Sequence, residues 1–275
     1  MRRMYREFFG FDEIPFNVTP DTRYLYLSPL HQGVFETLKY GVHERKGFML
    51  LTGEVGTGKT LSIRALLNQL GSSIDTCLIL NPQLSKLELI KTINREFGRE
   101  LKKNSFKDQI DTLNQFALQS AAGGRNTLVI VDEAQNLSFE AIEMTRLLSN
   151  LETETTKLLQ ILLVGQPELE EKLAMPCLRQ LRQRIQIHCR LRPLDHEQTE
   201  RYIIFRLQKA GPQSKVAFEK SAVSRIHQIT EGVPRLINTL CDFCLMAAYL
   251  KGSRVVTKGI VEEAFTETPS YAISA

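Results

Sequence analysis

Apolar residues follow two different periods along the chain. In the first two thirds, short unbroken apolar runs alternate with longer stretches in which apolar residues recur every three or four positions. The short runs predict buried β-strands over residues 47–52, 76–80, 127–131, 158–164 and 185–191. The longer stretches predict helices over residues 29–46, 59–67, 84–98, 106–122 and 138–151. Strands that alternate with helices are typical of an α/β fold with a parallel sheet.

The connection after the first predicted strand carries the clearest motif. It reads Gly53-Glu54-Val55-Gly56-Thr57-Gly58-Lys59-Thr60, a phosphate loop in the strand–loop–helix setting that this motif requires. Its glycines allow consecutive N–H groups to turn inward as an anion nest, and the helix start adds a positive dipole end. Lys59 would reach the β- and γ-phosphates, and the Thr60 hydroxyl would bind Mg²⁺. The residues predicted to bind ATP are Gly53, Glu54, Val55, Gly56, Thr57, Gly58, Lys59, Thr60 and Leu61.

An acidic pair, Asp132-Glu133, follows the predicted strand 127–131. A carboxylate at a strand tip is the second part of a P-loop ATPase, so Asp132 would bind magnesium, mostly through the water shell of the ion. Glu133 lies one position further along, where its carboxylate can polarise the water that attacks the γ-phosphate. An acidic pair alone fits an ordinary turn, but a phosphate loop upstream favours the catalytic interpretation.

Other polar residues follow or precede later elements. Gln166 comes after strand 158–164, at the sheet edge where open α/β sheets bind ligands, and would contact the γ-phosphate or the water unless it is only a turn residue. Arg235 opens a predicted helix after Pro234 and would point back at the nucleotide. The arginines before strand 185–191 fit three interpretations. They form a solvated face, they include an arginine finger that reaches the γ-phosphate of a neighbouring subunit, or they contact DNA phosphates.

The two ends of the chain differ from this α/β part. After residue 194 strand signals nearly vanish, and helices are predicted over residues 195–210, 218–230, 233–250 and 256–265. Near the start, aromatic residues and prolines predict an extended segment that is packed against a surface of the protein. This segment either serves only for packing or also lines an adenine pocket. The domain prediction is a linker and helix lining the nucleotide site over 1–46, an α/β nucleotide-binding domain over 47–194, a helical lid over 195–267 and a polar tail over 268–275.

Composition adds few constraints. Of the 275 residues, 43% are hydrophobic and 24% are charged, which is average for a globular protein, and the net charge of +4 is too mild to predict a nucleic-acid partner. No apolar run reaches the length of a membrane span, and the basic N-terminus has no apolar segment behind it. Five scattered cysteines fit a reducing cytoplasm, and Cys241-x-x-Cys244 lies in an apolar helical pattern that predicts core packing rather than a zinc or redox site.

The order of these motifs resembles AAA+ ATPases and, more narrowly, the ExeA/GspA family of bacterial secretion-pathway ATPases, which includes MshM-like proteins of MSHA pilus biogenesis. The resemblance extends from about residue 7 to residue 265. The stretches that carry it are residues 9–11, 15–16, 20–28, 51–60, 131–137, 146–152, 159–161, 165–169, 181–185 and 232–238.

The resemblance implies a three-layer αβα parallel sheet, with the phosphate-loop strand in the centre, followed by a small all-α lid. It implies sensor-type roles for Gln166 and Arg235 beside the catalytic Glu133. It also implies an arginine finger at Arg184, with Arg182 as the second choice. Because a finger acts in trans, the resemblance implies a homo-oligomer arranged as a ring.

Three functions compete at this stage. The first is an ATPase that drives assembly of a secretion or type IV pilus machine, cytoplasmic and held at the inner membrane by its partners or by a missing C-terminal part. The alternatives are an ATP-dependent DNA-binding transposition regulator of the MuB/TniB type and a nucleotide-gated scaffold that scarcely hydrolyses. Secretion-branch proteins usually continue into a membrane span and a periplasmic part. Because this chain stops at Ala275, we expect the cytoplasmic part of a longer protein or a free-standing member.

Overall fold

A computed structural model describes residues 2–80, 82–100, 105–154 and 156–267, without the side chains of residues 2–4. The polar tail predicted over 268–275 lies outside the described residues. The chain divides by its internal contacts into two units. The first, which we call the α/β unit, comprises Pro29–Glu54 and Ser62–Leu191, and the second, the helical unit, comprises the described parts of Met1–Ser28, Val55–Leu61 and Arg192–Ala275. The domain boundaries predicted from the sequence stay a prediction.

Five parallel strands form the sheet of the α/β unit. They are β1 (Phe48–Gly53), β2 (Ile74–Ile79), β3 (Asn126–Val131), β4 (Gln160–Gly165) and β5 (Ile185–Leu191). Strands β1, β3 and β4 are buried along their whole length, as expected for inner strands covered on both faces, whereas β5 alternates in exposure and lies at an edge. The spatial order is β2-β3-β4-β1-β5. The phosphate-loop strand β1 therefore lies one place from an edge, and the expectation that it is central was wrong.

Helices cover both faces of this sheet. They are α2 (Pro29–His43), α3 (Lys59–Gln69), α4 (Lys86–Glu96), α5 (Phe106–Ala122), α6 (Phe139–Leu148), α7 (Pro167–Ala174) and α8 (Arg179–Arg182). Phe48 and Leu50 of β1 share one core cluster with apolar residues of α4 to α7. Met49 points to the other face, where it approaches Gly41 of α2. This arrangement is the predicted three-layer α/β fold, and the predicted strand positions are correct to within two residues.

The helical unit has its own apolar core. Its helices are α1 (Arg2–Phe9), α9 (His196–Ala210), α10 (Lys220–Thr230), α11 (Pro234–Leu250) and α12 (Lys258–Glu267). The aromatic side chains near the chain start are part of this core, so packing is one role of the segment. Cys241 and Cys244 are buried there as predicted, and burial raises the pKa of both thiols.

Two local predictions in this unit were wrong. The aromatic segment from Phe8 to Pro20, predicted as extended, has its first two residues in helix α1, where Tyr5 and Phe9 are four residues apart and turn the same helical face into the core. From residue 10 to Pro20 the segment contains neither helix nor strand. Two of the predicted helices also start later than expected, since Ala217–Phe218 (β6) and Val255–Val256 (β7) form a short parallel pair. The β-branched valines favour this extended backbone.

Candidate functional site

The predicted phosphate loop connects β1 to α3 directly. Gly53 ends the strand and Lys59 is the first residue of the helix. Gly56 and Gly58 have φ angles of 80° and 96°, which L side chains rarely adopt. A Cβ added at Gly58 would meet no atom within 4 Å, so the backbone borders open space at that point. Left-handed glycines ahead of a helix start are the geometry of an anion nest, which fits phosphate groups.

The residues around these glycines differ in exposure. Lys59 is only 5% exposed and Thr57 is 1% exposed, so neither side chain is a freely solvated surface group. Glu54 and Val55 are exposed, and Thr60 is the second residue of α3. No acidic residue lies in the first turn of α3, so the helix places no carboxylate of its own at its positive dipole end, where an anion is favoured.

The second predicted part of the site lies at the carboxyl ends of β3 and β4, which are paired neighbours. Asp132 follows β3 directly and is 2% exposed. Its Oδ1 accepts a hydrogen bond from the Glu133 N–H at 2.9 Å. Carboxylate and hydroxyl oxygens are hard donors of the kind that Mg²⁺ takes alongside water and phosphate oxygens, so the donor chemistry of Asp132 and that of Thr60 each suit this ion.

Glu133 is held by two amide side chains. Its Oε2 accepts a hydrogen bond from Gln166 Nε2 at 3.1 Å and another from Gln135 Nε2 at 2.6 Å. Glu133 itself has φ 53° and ψ 37°, a left-handed conformation that is uncommon for a residue with a side chain. The structure thus brings the predicted residues Glu133 and Gln166 into contact. It adds Gln135, to which the sequence prediction gave no role.

A further polar cluster braces the end of β1. Thr52, which precedes the phosphate loop and is fully buried, donates its hydroxyl hydrogen bond to Glu170 of α7. Arg190 Nη2 pairs with the same carboxylate at 2.8 Å. Burial opposes ionisation of Glu170, but the Thr52 hydrogen bond and the positive charge of Arg190 outweigh it and hold the pKa of Glu170 below its ordinary value. No local sequence pattern predicts this cluster, because it joins three separate segments.

Arg235 contacts the phosphate loop within the helical unit. Its backbone N–H donates to the Gly56 carbonyl at 3.3 Å, where α11 begins. A Cβ at Gly56 would come within 2.7 Å of the Arg235 Cβ and 3.1 Å of Val233 Cγ1. The Arg235 side chain is exposed. The loop and the Val233-Pro234-Arg235 turn are therefore in contact through the backbone and Cβ of Arg235, and a role for its guanidinium at the nucleotide stays a prediction.

The two candidate arginine fingers lie away from Asp132, Glu133 and Gln166. Arg184 immediately precedes β5, and Phe48 at the start of β1 pairs with Ile185, so Arg184 is at the amino edge of the sheet. Its guanidinium donates to Asn150 and to Ser149 Oγ at the end of α6. Arg182 is exposed and donates to the Ala174 carbonyl at 3.2 Å. The structure does not bring either arginine together with Asp132, Glu133 and Gln166.

A glycine-rich loop between a buried strand and a helix, with an acidic pair after another strand of the same parallel sheet, defines a nucleotide-binding P-loop ATPase. The family model described as an AAA domain matches residues 42–173. General secretion pathway protein A of Aeromonas hydrophila is 43% identical over 265 residues, which are 96% of this chain and 48% of that protein. The chain is a relative of general secretion pathway protein A, and these two findings support the ExeA/GspA family of AAA+ ATPases.

Solved structures share the fold at low identity. The ORC2 protein of Aeropyrum pernix superimposes with a TM-score of 0.66 at 17% identity, covering 94% of this chain and 72% of that one. The RuvB Holliday junction branch migration motor of Thermotoga maritima gives a TM-score of 0.54 at 18% identity, covering 86% of this chain and 68% of that one.

The chain spans about half the length of the curated relatives it matches, 48% and 55% of the two. Among the described residues, none of the helices combines the length and the apolar character needed to cross a bilayer.

Proposed function

We propose that this chain is an ATPase that works as a homo-oligomeric ring and drives assembly of a bacterial secretion or type IV pilus machine. The contact between Glu133 and Gln166 carries the catalytic part of this proposal, because it joins a candidate base to a candidate γ-phosphate sensor at one sheet edge. The 43% identity to general secretion pathway protein A supports a role in assembling a secretion or pilus machine. The chain would act at the inner membrane through partners that are part of that machine.

Each residue at the site has a proposed task. The glycine nest and Lys59 hold the phosphates of ATP, with Thr60 and Asp132 as the groups that hold Mg²⁺. When bound, Mg²⁺ neutralises charge on the phosphate oxygens. Glu133 accepts a proton from the attacking water, and Gln166 orients that water or the γ-phosphate. Arg235 couples the phosphate loop to α11 through its contact with Gly56.

Arg184 acts on the nucleotide of a neighbouring subunit. Strand β5 has seven residues, so at about 3.3 Å per residue the amino edge of the sheet is roughly 20 Å from the carboxyl edge. Arg184 lies at the amino edge, whereas Asp132, Glu133 and Gln166 follow the carboxyl ends of their strands. That distance is too long for the guanidinium to reach a phosphate beside Glu133 in its own chain, which supports action in trans.

A subunit-mixing experiment tests this proposal. Arg184→Ala subunits keep a complete pocket and lack a finger, whereas Glu133→Gln subunits keep the finger and lack the base. Each variant alone is expected to be inactive, and a mixture should regain ATPase activity. Arg182→Ala is the matched control, because it should not need complementation if Arg184 is the finger. A mixture that stays inactive, or an Arg184→Ala protein with normal turnover, would contradict the arrangement in trans.

The cellular role has its own test. In a strain that lacks this chain, the wild-type chain should restore assembly of the secretion or pilus machine, and Glu133→Gln should not. Normal assembly without the chain, together with ATP-dependent duplex DNA binding that weakens steeply with salt, would favour the DNA-binding regulator instead.

A further inference from the structure

Gln135 has both ends of its amide engaged at the site. The Nε2 group donates to Glu133 Oε2 at 2.6 Å, and Oε1 accepts from the Gln166 backbone N–H at 3.2 Å. Gln166 Nε2 in turn reaches the same Glu133 oxygen. The three residues therefore form a closed ring of hydrogen bonds, which we call the Glu133 clamp. One member, Gln135, joins the candidate base to the backbone of the candidate sensor.

The local backbone fixes Gln135 in this place. Residues Ala134–Asn136 form a single 3-10 turn that begins at the left-handed Glu133. Lys172 of α7 donates from Nζ to the Gln135 carbonyl at 3.1 Å and also to the Leu137 carbonyl. The turn is thus attached to α7, the helix whose N-cap is Gln166.

Gly165 provides the space that the Gln135 side chain occupies. A Cβ at Gly165 would lie 2.8 Å from Gln135 Oε1 and 2.7 Å from Leu169 Cδ2. Real Cβ atoms essentially never approach other heavy atoms so closely, so any larger residue would displace the Gln135 amide or the Leu169 side chain. The close approach of both Gln135 and Leu169, rather than its own backbone angles, therefore explains the glycine before Gln166.

We propose that Gln135 is a positioning residue for ATP hydrolysis. It holds the Glu133 carboxylate in its reactive orientation and keeps it in register with Gln166. This inference rests on the proposed catalytic role of Glu133. A carboxylate that can rotate about its side-chain bonds is a poor base for a water at a fixed place, and a second hydrogen-bond donor on the same oxygen restricts that rotation. Gln135 need not touch the nucleotide, so its loss should alter turnover and leave ATP affinity unchanged.

The test uses Gln135→Met, which keeps the length of the side chain without a donor, and Gln135→Glu, which keeps its shape but replaces the donor with a second negative group. We expect kcat to fall about 10- to 100-fold in both, the range that a hydrogen bond to a charged group implies, with KM and ATP-analogue affinity within about twofold. Asn136→Leu is the matched control, because Asn136 is exposed in the same turn. Its kcat should equal that of the wild type.

A double-mutant comparison separates positioning from general damage. Since both amides bind one Glu133 oxygen, Gln135→Met and Gln166→Met should not be additive in kcat. Gly165→Ala, which crowds Gln135 without removing it, should give a smaller kcat loss, again at constant KM. Wild-type kcat in Gln135→Met and Gln135→Glu would overturn the inference, and so would a rise in kcat, which would mean that Gln135 restrains Glu133. If Glu133→Gln itself retains turnover, the proposed catalytic role fails and not only the clamp.

Discussion

Replacing Gly232 with alanine is expected to destabilise the helical unit strongly. Gly232 has φ 76°, and a Cβ built on it would lie 1.8 Å from the Leu194 carbonyl oxygen and 2.8 Å from its carbon. These are backbone atoms, so the clash cannot be relieved by rotating a side chain. The Leu194 N–H also donates to the Gly232 carbonyl at 2.9 Å, and this bond would be distorted.

The magnitude follows from these contacts. Alanine in a left-handed conformation costs about 1–2 kcal/mol, overpacking adds about 1–3 kcal/mol, and the lost hydrogen bond adds about 1 kcal/mol. We therefore expect the free energy of unfolding to fall by about 3–6 kcal/mol. Gly252→Ala is a matched control in the same unit, because Gly252 has φ 64° but its Cβ would meet no atom within 4 Å. Its loss should be about 1–2 kcal/mol.

Urea unfolding followed by circular dichroism measures both losses in the absence of nucleotide. Both variants carry the same backbone strain, so the difference between their losses in unfolding free energy measures the effect of the clash with Leu194 alone. Equal destabilisation of the two variants would refute the reasoning, because it would mean that the backbone contact does not constrain this position. Gly232 also lies just ahead of Val233 and Arg235, so loosening it should weaken ATP binding as well.

Other predictions test the site directly. Glu133→Gln should abolish ATP turnover and keep ATP binding, as measured by phosphate release and calorimetry, and unchanged turnover would remove Glu133 from its role. Glu170→Gln tests the polar cluster of Thr52, Glu170 and Arg190. Because the pKa of Glu170 is lowered from 4.5 in the folded protein, the wild type should be more stable than the variant, and this extra stability should be complete above about pH 4.5. This extra stability should disappear as the pH falls through the lowered value, so a constant difference in unfolding free energy across that range would contradict the assignment. Gly56→Ala should weaken ATP binding, since its Cβ would meet Arg235, and normal affinity would argue against the close contact between the loop and α11.

Local sequence patterns were sufficient for much of the fold. The inner strands are uninterrupted apolar runs, and such runs predict buried strands wherever they are short and bounded by turn residues. The Gly56 and Gly58 conformations could be foreseen because the phosphate-loop motif requires them. The order of strands could not, since no local pattern tells that β4 rather than β1 occupies the middle of the sheet.

The arrangement of the site was only partly predictable. Glu133 and Gln166 were singled out because each follows a strand of one parallel sheet, and parallel strands end at a common edge. Gln135 was missed because its contact depends on a left-handed residue followed by a 3-10 turn, and neither has a periodic sequence signal. The Thr52–Glu170 contact joins residues 118 positions apart, which periodicity cannot connect.

The nucleotide affinity of Lys59→Ala is the measurement that tests the central claim most directly. Lys59 begins the helix after the phosphate loop, and its loss removes a charge-assisted contact worth about 1.5–3 kcal/mol. Titration calorimetry with a non-hydrolysable ATP analogue should therefore give at least about tenfold weaker binding, with an unfolding midpoint close to that of the wild type. Wild-type affinity in the folded variant would contradict the claim that this loop holds the triphosphate.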